Sequence, residues 1–370
     1  MSQLDRIASR AQARNIPLSV LLEITGRCHL DCQHCYLDIR KPPPELTTAE
    51  LCGILDQLSA AGTLFLTVSG GEVFLRKDLF ELLAQARRLG LVVRLSTTGT
   101  RLGRADAERL AALGLATVEL SLYSHHGAVH DSITRRRRSH RKTLRAALLL
   151  RRLGVNVVLK APLIDDSARD YRGVLDLARR IGASGKLDPG IITRRDGDRA
   201  PVALRPSAAA LAAVLRDPEM FGADRPLPPP AAPDDAPCAI GRRTARIGPD
   251  GNVYPCSTYP EAVGNLRQRS FAEIWWGDSA LLAELRALRF RDLEPACTSC
   301  ASSGYCNRCL ALGLLEHGNA RGPVTESCRI AHAHELAAGL DVPPPPGLRL
   351  ARRSLPVLGQ SQGGPSCGQC

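Results

Sequence analysis

Several features are missing from this chain of 370 residues, and each absence narrows what the protein can be. No stretch approaches about 18 uncharged apolar residues, which excludes a transmembrane helix. Residues 1–14 contain three arginines but no apolar core, so we expect no secretory signal and a cytoplasmic protein. Wholesale disorder is also excluded, because 44% hydrophobic and 23% charged residues are the proportions of a globular protein.

Motifs for nucleic-acid binding are missing as well. No RNP-like aromatic segment or zinc-finger helix accompanies the four consecutive arginines at 135–138, called here the arginine run. The formal net charge of +12 still indicates an acidic partner. The arginine run, with Arg141 and Lys142, could attract an acidic redox protein or peptide, or could be the solvated start of a helix.

Cysteine is abundant, with thirteen residues, but none lies between Cys52 and Cys238. Without an export signal, these thiols are expected to stay reduced, so metal ligation is a better interpretation than disulfides. Cys52 lies at an apolar helical position and is expected to be a buried, inert thiol.

The region before Cys238 alternates between β-branched apolar runs and helix-like segments at a spacing of about 30 residues, typical of βα units around a parallel sheet. Six strands without a Rossmann glycine fingerprint predict an α/β fold, a partial (β/α)6 TIM-like barrel with its site at the strand C-termini. The strands are expected at 19–25, 64–69, 92–97, 117–123, 156–162 and 187–193. The helices are expected at 48–61, 79–89, 105–113, 142–153 and 171–181.

Composition divides the chain into five parts. We expect an N-terminal extension at 1–16, the barrel at 17–224, a proline-rich linker at 225–237, a small cysteine-rich domain at 238–335, and a flexible tail at 336–370. The tail ends in Cys367 and Cys370, which form a redox-active pair, supply a metal ligand, or have no role.

The first chemical motif is Cys28-x3-Cys32-x2-Cys35, directly after the first strand. Three thiolates on one loop can hold three irons of a cubane cluster and leave the fourth iron open. A structural zinc ion normally needs four protein ligands, and only His29 or His34 could supply the fourth here. Iron–sulfur, zinc and free buried thiols are therefore the alternatives.

The second motif is Gly70-Gly71-Glu72, at the end of the second strand. A glycine pair lets the backbone come close to a ligand, and a carboxylate beside it can accept from an amino group. Taken alone this pattern is weak, because Gly-Gly turns are common.

Together, the two motifs resemble the radical S-adenosylmethionine (radical SAM) superfamily over roughly residues 17–200. The resemblance implies that Tyr36 lies near the adenine of SAM and that Gly70, Gly71 and Glu72 contact its methionine amino group. The residue after Glu72 is Val73 rather than the usual proline. Further SAM-binding residues implied at the ends of the third and fourth strands are Ser96, Thr98, where Asn is common, and Ser121.

The seven cysteines behind the linker resemble the SPASM domain, an auxiliary-cluster extension of radical SAM enzymes. The family often has three residues before its sixth cysteine, whereas two separate Cys306 from Cys309 here. The resemblance implies one cluster on Cys297, Cys300, Cys306 and Cys328. It implies a second cluster, one ligand short, on Cys238, Cys256 and Cys309. A zinc ribbon is the alternative.

The resemblance implies three [4Fe-4S] clusters and an enzyme that reductively cleaves SAM to a 5′-deoxyadenosyl radical, which abstracts hydrogen from its substrate. A ribosomally made precursor peptide is the expected substrate, with flavodoxin or ferredoxin as electron donor. Because only about 17 residues precede the first strand, a separate peptide-recognition protein is also expected. The alternatives are an enzyme acting on a small molecule or tetrapyrrole side chain, and a non-enzymatic, zinc-stabilised binding protein.

Overall fold

The computed structural model describes residues 3–37, 43–168, 170–221 and 230–348. Their strands are β1 Ser19–Thr25, β2 Phe65–Gly70, β3 Val92–Thr97, β4 Thr117–Ser121, β5 Val157–Pro162, β6 Ser184–Asp188, β7 Thr244–Ile247, β8 Asn252–Tyr254 and β9 Gly264–Asn265. The helices are α1 Gln3–Ala13, α2 Thr48–Ala60, α3 Leu79–Arg88, α4 Arg104–Leu113, α5 Gly127–Thr134, α6 Ser139–Arg152, α7 Asp165–Ala168, α8 Tyr171–Arg180, α9 Ala208–Leu215, α10 Pro218–Phe221, α11 Phe271–Trp276, α12 Ala280–Ala287, α13 Pro295–Thr298, α14 Leu310–His317 and α15 Thr325–Ala337.

The predicted partial barrel is confirmed. Strands β1 to β6 lie side by side in chain order and pair in parallel, each joined to the next through at least one helix. Alternate residues such as Val20, Leu22 and Leu66 are buried against the surrounding helices. Burying each such side chain contributes roughly 1.5–3 kcal/mol. Because the six strands run in the same direction, their C-terminal ends share one edge of the sheet, where the loops that follow them meet.

The sixth strand was predicted wrongly. It spans Ser184–Asp188 and pairs with β5, whereas 187–193 was expected. The strand lies at the edge of the sheet, and its first three residues are exposed, so its sequence carries no apolar run. The apolar residue Ile191, which suggested a strand, is buried in the loop that follows.

The cysteine-rich part, called here the rear module (residues 238–335), is built onto the barrel sheet. Strand β7 pairs in parallel with β1 on the side opposite β2, with Ser19 opposite Thr244, and β8 and β9 continue antiparallel. Helix α15 also packs on α9, where Leu211, Leu215 and Ala333 share a small core. The barrel and the rear module are therefore parts of one sheet.

The predicted linker is partly described, from residue 230 on. Its end is held on the rear module, because the Phe290 amide donates to the Asp235 carbonyl (2.8 Å) and the Arg291 amide to that of Pro233 (3.0 Å). Residues 222–229 and the terminal Cys367 and Cys370 lie outside the described residues. No helix in the described ranges is long and apolar enough to cross a membrane.

Candidate active site and cluster-binding residues

The loop of residues 28–35, called here the front loop, follows β1 at the C-terminal edge of the barrel and carries three cysteines. The Cys35 amide donates to the Cys32 carbonyl (3.0 Å), which folds the loop tightly. Burial, with help from neighbouring thiols, raises the pKa of Cys28 to about 11 and that of Cys32 to about 12. The three thiols are therefore electrostatic neighbours, and a metal must displace their protons to bind.

The front loop offers three thiols, whereas a structural zinc ion normally needs four protein ligands. His29 Nε2 lies 2.6 Å from the Thr100 hydroxyl, and the His34 ring packs edge-on against Tyr123, while the Nδ1 atom of each ring is buried without a hydrogen-bond partner in the described residues.

The glycine pair at the end of β2 packs the second-strand turn against the base of the front loop. A Cβ atom at Gly70 would lie 2.2 Å from the Thr25 carbonyl oxygen, and one at Gly71 would lie 2.1 Å from that of Arg27. The amides of Gly71 and Glu72 donate to these same two carbonyls, at 2.9 and 2.8 Å. Larger residues would push the two loops apart.

The Glu72 side chain is fully buried and joins the ends of β2 and β3. Its carboxylate accepts from the Thr97 hydroxyl (2.6 Å), the Thr98 amide (3.0 Å) and the Phe74 amide (3.2 Å), and also from the Thr98 hydroxyl. This arrangement fixes the position of the turn. Contact between Glu72 and the amino group of SAM stays a prediction.

The other residues expected to bind SAM lie at the same edge of the sheet. Ser96 donates to Glu119 (3.2 Å), across from β3 to β4. Ser121 hydrogen-bonds the hydroxyl of Tyr123, which lies 4.0 Å from the Cys32 sulfur. Ser121 is thus connected to the front loop through Tyr123, and the contacts of Ser96 and Ser121 with SAM remain predictions.

A buried ionic cluster beside Tyr36 was not predicted. The Arg195 guanidinium lies 4.6 Å from the centre of the Tyr36 ring and 2.7 Å from a Glu23 carboxylate oxygen. Arg246, on β7, reaches the same oxygen at 3.2 Å and covers the Tyr254 ring. Glu23 is the only charged residue in a strand that reads SVLLEIT, and that signal could have marked Glu23 as a residue that needs a charged partner.

This cluster links the two cysteine regions. Arg195 also donates to the Ser257 carbonyl (3.1 Å), next to Cys256. Two guanidinium groups against one carboxylate leave an excess positive charge inside the protein. Glu23 Oε1 and the Nε atoms of Arg195 and Arg246 are buried without hydrogen-bond partners in the described residues. Such atoms are costly unless a ligand or water satisfies them.

The cysteines of the rear module fall into two neighbourhoods. Burial raises the pKa of Cys306, Cys238, Cys256 and Cys309. Each of these pKa values is raised further by nearby thiols, which shows which cysteines are neighbours. Cys328, Cys297 and Cys300 act on Cys306, whereas Cys309 acts on Cys238, Cys238 on Cys256, and Cys256 on Cys309. These neighbourhoods coincide with the two predicted ligand sets, whose binding of clusters remains a prediction.

Arg308 separates the two neighbourhoods at the place where the chain departs from the family spacing. Its guanidinium is buried and donates to the Cys297 sulfur (3.3 Å) and the Ala320 carbonyl (2.9 Å). The chain after α15 folds back on the first neighbourhood, where the Gly347 amide hydrogen-bonds Cys328.

Three histidines follow β4. His125 Nδ1 lies 2.6 Å from an Asp170 carboxylate oxygen, and His126 Nε2 lies 3.8 Å from the same atom. His130 is buried instead, and its Nδ1 accepts from the Tyr123 amide (3.1 Å). His130 therefore supports the Tyr123 backbone beside the front loop.

Comparison with known families identifies both parts of the chain. Residues 22–178 match the model of the radical SAM superfamily, and residues 238–301 match SPASM, described as an iron–sulfur cluster-binding domain. A PqqA peptide cyclase of Xanthomonas campestris pv. campestris (strain 8004) is 34% identical over 330 residues, which cover 84% of this chain and 87% of the relative. That of Rhodopseudomonas palustris is 29% identical over 356 residues, with 90% and 92% covered.

Solved structures show the same fold. Streptococcus suis SuiB bound to S-adenosylmethionine has a TM-score of 0.62 at 17% identity and covers 86% of this chain and 80% of its own. Native anSMEcpe with bound AdoMet has a TM-score of 0.60 at 17% identity, with 91% and 100% covered. The fold, the front loop and the match to the cyclases agree. The chain therefore belongs to the radical SAM superfamily, and it is a radical SAM enzyme with a SPASM iron–sulfur domain.

Proposed function

We propose that this enzyme forms a cross-link within a ribosomally made precursor peptide. The observation that carries this proposal is the 34% identity, across 84% of the chain, to proteins named PqqA peptide cyclase. Such coverage includes both the barrel and the rear module, so the similarity extends well beyond the shared SAM-binding loop.

The buried ionic cluster supports a peptide substrate. It offers unpartnered donors on Arg195 and Arg246 and an unpartnered acceptor on Glu23, beside Tyr36. Each peptide group carries one donor and one acceptor, and an acidic side chain would also balance the excess positive charge. A peptide segment in the barrel is therefore complementary to these buried groups in hydrogen bonding and in charge.

Different residues of the chain have different parts in this proposed reaction. When bound, the cluster and SAM supply a 5′-deoxyadenosyl radical that removes one hydrogen atom from the substrate. Cys28, Cys32 and Cys35 are the ligands we propose for that cluster, and Gly70 and Gly71 hold the neighbouring turn against the loop. Cross-linking removes a second hydrogen as a proton, which passes to solvent, and an electron. The cysteines of the rear module, next to the ionic cluster, would hold clusters that could accept that electron.

The partners and the location are parts of the same proposal. The enzyme needs a one-electron donor, which we propose to be a flavodoxin or ferredoxin, and a separate protein is proposed to recognise the precursor. A cytoplasmic location is supported by the cysteines, because every one in the described residues is a free thiol.

Mass spectrometry of a candidate precursor co-expressed with the enzyme tests the function. The precursor is sought as a short reading frame beside the gene. We expect the peptide to lose two hydrogen atoms and to yield fragments joined across the new bond, and we expect neither change with the Cys28→Ala, Cys32→Ala, Cys35→Ala variant. SAM cleavage with an unmodified peptide would favour the small-molecule or tetrapyrrole alternative.

A further inference from the structure

We infer that the arginine run and the pocket beside it dock an acidic flavodoxin-type electron donor next to the front loop. This inference rests on the proposed radical chemistry, which requires one electron at the front loop's cluster for each SAM cleaved, the first of them from an external donor. It adds a surface and a set of residues that the proposed function does not require by itself.

The pocket beside the arginine run is strongly cationic and begins at the front loop. It measures about 250 Å³, and its lining includes His29, Thr100, Arg101, Arg136, Arg137 and Lys142. The four cationic side chains are exposed, and in the part of the chain that the structure describes none of them forms an ion pair. Since His29 follows Cys28 directly, a partner seated here would lie against the front loop.

The backbone of the arginine run is held in an unfavourable conformation. Arg135 has a φ of 52° and Arg138 a φ of 64°, in the left-handed region that non-glycine residues rarely occupy. Asp131 stabilises the turn, accepting from the Ser139 hydroxyl (2.8 Å) and the His140 amide (2.9 Å). Backbone strain of this kind is typical of functional sites, and here it presents four arginines on one tight turn.

The arginine run is also attached to the front loop. Arg135 pairs with Asp31 at 2.9 Å, and the Gln33 amide donates to the Ile133 carbonyl at 3.0 Å, just before the run. The position of the cationic surface is therefore fixed relative to the cysteines. A solvated helix start would need no such attachment.

The two ends of the front loop face different surroundings, which favours a redox protein over a peptide substrate. The Cys35 end contacts Arg194 and Arg195, and Arg195 belongs to the buried ionic cluster proposed for the substrate. The Cys28 end faces the exposed cationic pocket. An electron donor must approach the cluster without occupying the substrate's place, and only the second surface allows that.

The test compares two variants of the reconstituted enzyme that lose equal charge. The first carries Arg101→Gln, Arg136→Gln, Arg137→Gln and Lys142→Gln. The matched control carries Arg6→Gln, Arg10→Gln, Arg152→Gln and Arg180→Gln, all exposed and outside this pocket. Calorimetric titration with an acidic, oxidised flavodoxin should show binding at least about tenfold weaker for the first variant in about 0.1 M salt, with the control unchanged. The difference should shrink toward 1 M salt, as the Debye length falls from about 10 Å to about 3 Å.

Two further measurements separate the possible outcomes. Deoxyadenosine formation driven by dithionite should be unchanged in the pocket variant, and formation driven by reduced flavodoxin should be slowed. If wild-type enzyme forms no deoxyadenosine with dithionite, the proposed function itself fails. Three results would each overturn the docking inference. The first is an unchanged affinity of the pocket variant for flavodoxin, and the second is an equal loss of affinity in the control. The third is weaker binding of the precursor peptide while flavodoxin binding stays intact. If the fourfold variant does not fold, Arg137→Glu is compared instead with Arg152→Glu, which changes the charge equally at an exposed position outside this pocket.

Discussion

The front loop and the rear module hold cysteines in opposite ways. In the front loop, three cysteines fall within eight residues, and one short loop brings them together. In the rear module, Cys238 and Cys309 become neighbours although they are 71 positions apart. The first arrangement is set by local spacing, and the second is set by the fold of the whole module.

This difference predicts how each site responds to change. A cluster held by one local loop is expected to be lost only when the residues of that loop are altered. A site assembled from distant segments depends in addition on the packing of helices and on Arg308 between the two neighbourhoods. The following four experiments test the comparison, in order of decreasing expected effect.

The largest effect is expected from replacing Cys28, Cys32 and Cys35 with alanine. Deoxyadenosine formation should disappear, because the cluster that cleaves SAM loses all its protein ligands. Iron should fall from about twelve to about eight atoms per chain, because both rear clusters stay. Cys52→Ala, at a partly buried position against the barrel core, is the control and should keep both properties. A triple variant that still cleaves SAM would disprove the assignment.

Paired substitutions in the rear module test the two neighbourhoods. Cys256→Ala with Cys309→Ala should cost about four irons per chain, because both ligands serve one cluster. Cys256→Ala with Cys306→Ala should cost about eight, because each ligand serves a different cluster. Iron and sulfide analysis after anaerobic reconstitution measures the difference. Equal losses in both pairs, or zinc in place of iron, would contradict the predicted ligand sets.

The Glu72→Gln substitution tests whether the second-strand turn is structural. The substituted side chain would carry an NH2 group, a donor, opposite the threonine hydroxyls and backbone amides that now donate to the Glu72 carboxylate. Two facing donors leave at least one without an acceptor, at a cost of about 1–3 kcal/mol. We expect a melting temperature lower by a few degrees and weaker SAM binding. Glu119→Gln, which alters one hydrogen bond from Ser96, should have a smaller effect on both. An unchanged melting temperature would show that the Glu72 carboxylate is not needed to hold the turn.

The smallest effect is a pH dependence that originates near the front loop. Burial, and then the neighbouring His140, lowers the pKa of His130 to about 3, so the folded protein holds this ring neutral. Its contribution to stability is complete above the unfolded pKa of about 6.5 and is lost as pH falls toward 3. Between pH 7.5 and 5.5 the loss should be about 1.4 kcal/mol. In a His130→Gln variant, the melting temperature should fall less between pH 7.5 and 5.5 than in the wild-type enzyme. An equal fall in both proteins would show that His130 does not cause the pH dependence.

Much of this architecture could be predicted from the sequence, for reasons that differ by region. Strands β1 to β5 lie inside the sheet, so their apolar runs marked them within a few residues. The edge strand β6 has no apolar signal and was misplaced. The ionic cluster of Glu23, Arg195 and Arg246 was missed because it joins three segments that are far apart in sequence. No local sequence pattern indicates that these three side chains come into contact.

The role of the glycine pair was also only partly predictable. The sequence indicated a close approach of the backbone, and the structure shows what is approached: the carbonyls of Thr25 and Arg27 at the base of the front loop. Spacing alone cannot tell a ligand from another piece of the chain, because both require the absence of a Cβ atom.

The pairing of β7 with β1 has a consequence for how such enzymes can vary. The end of β1 carries the front loop, and the hairpin begun by β7 leads to Cys256, so hydrogen-bond register sets the spacing of the two regions. A slip of one residue would move them by about 3.3 Å and turn Arg246 away from Glu23. Residues 230–237, before Cys238, take no part in this strand pairing, so their number does not set that spacing. The strand pairing that sets the distance between the two cysteine regions is thus separate from the segment that precedes Cys238.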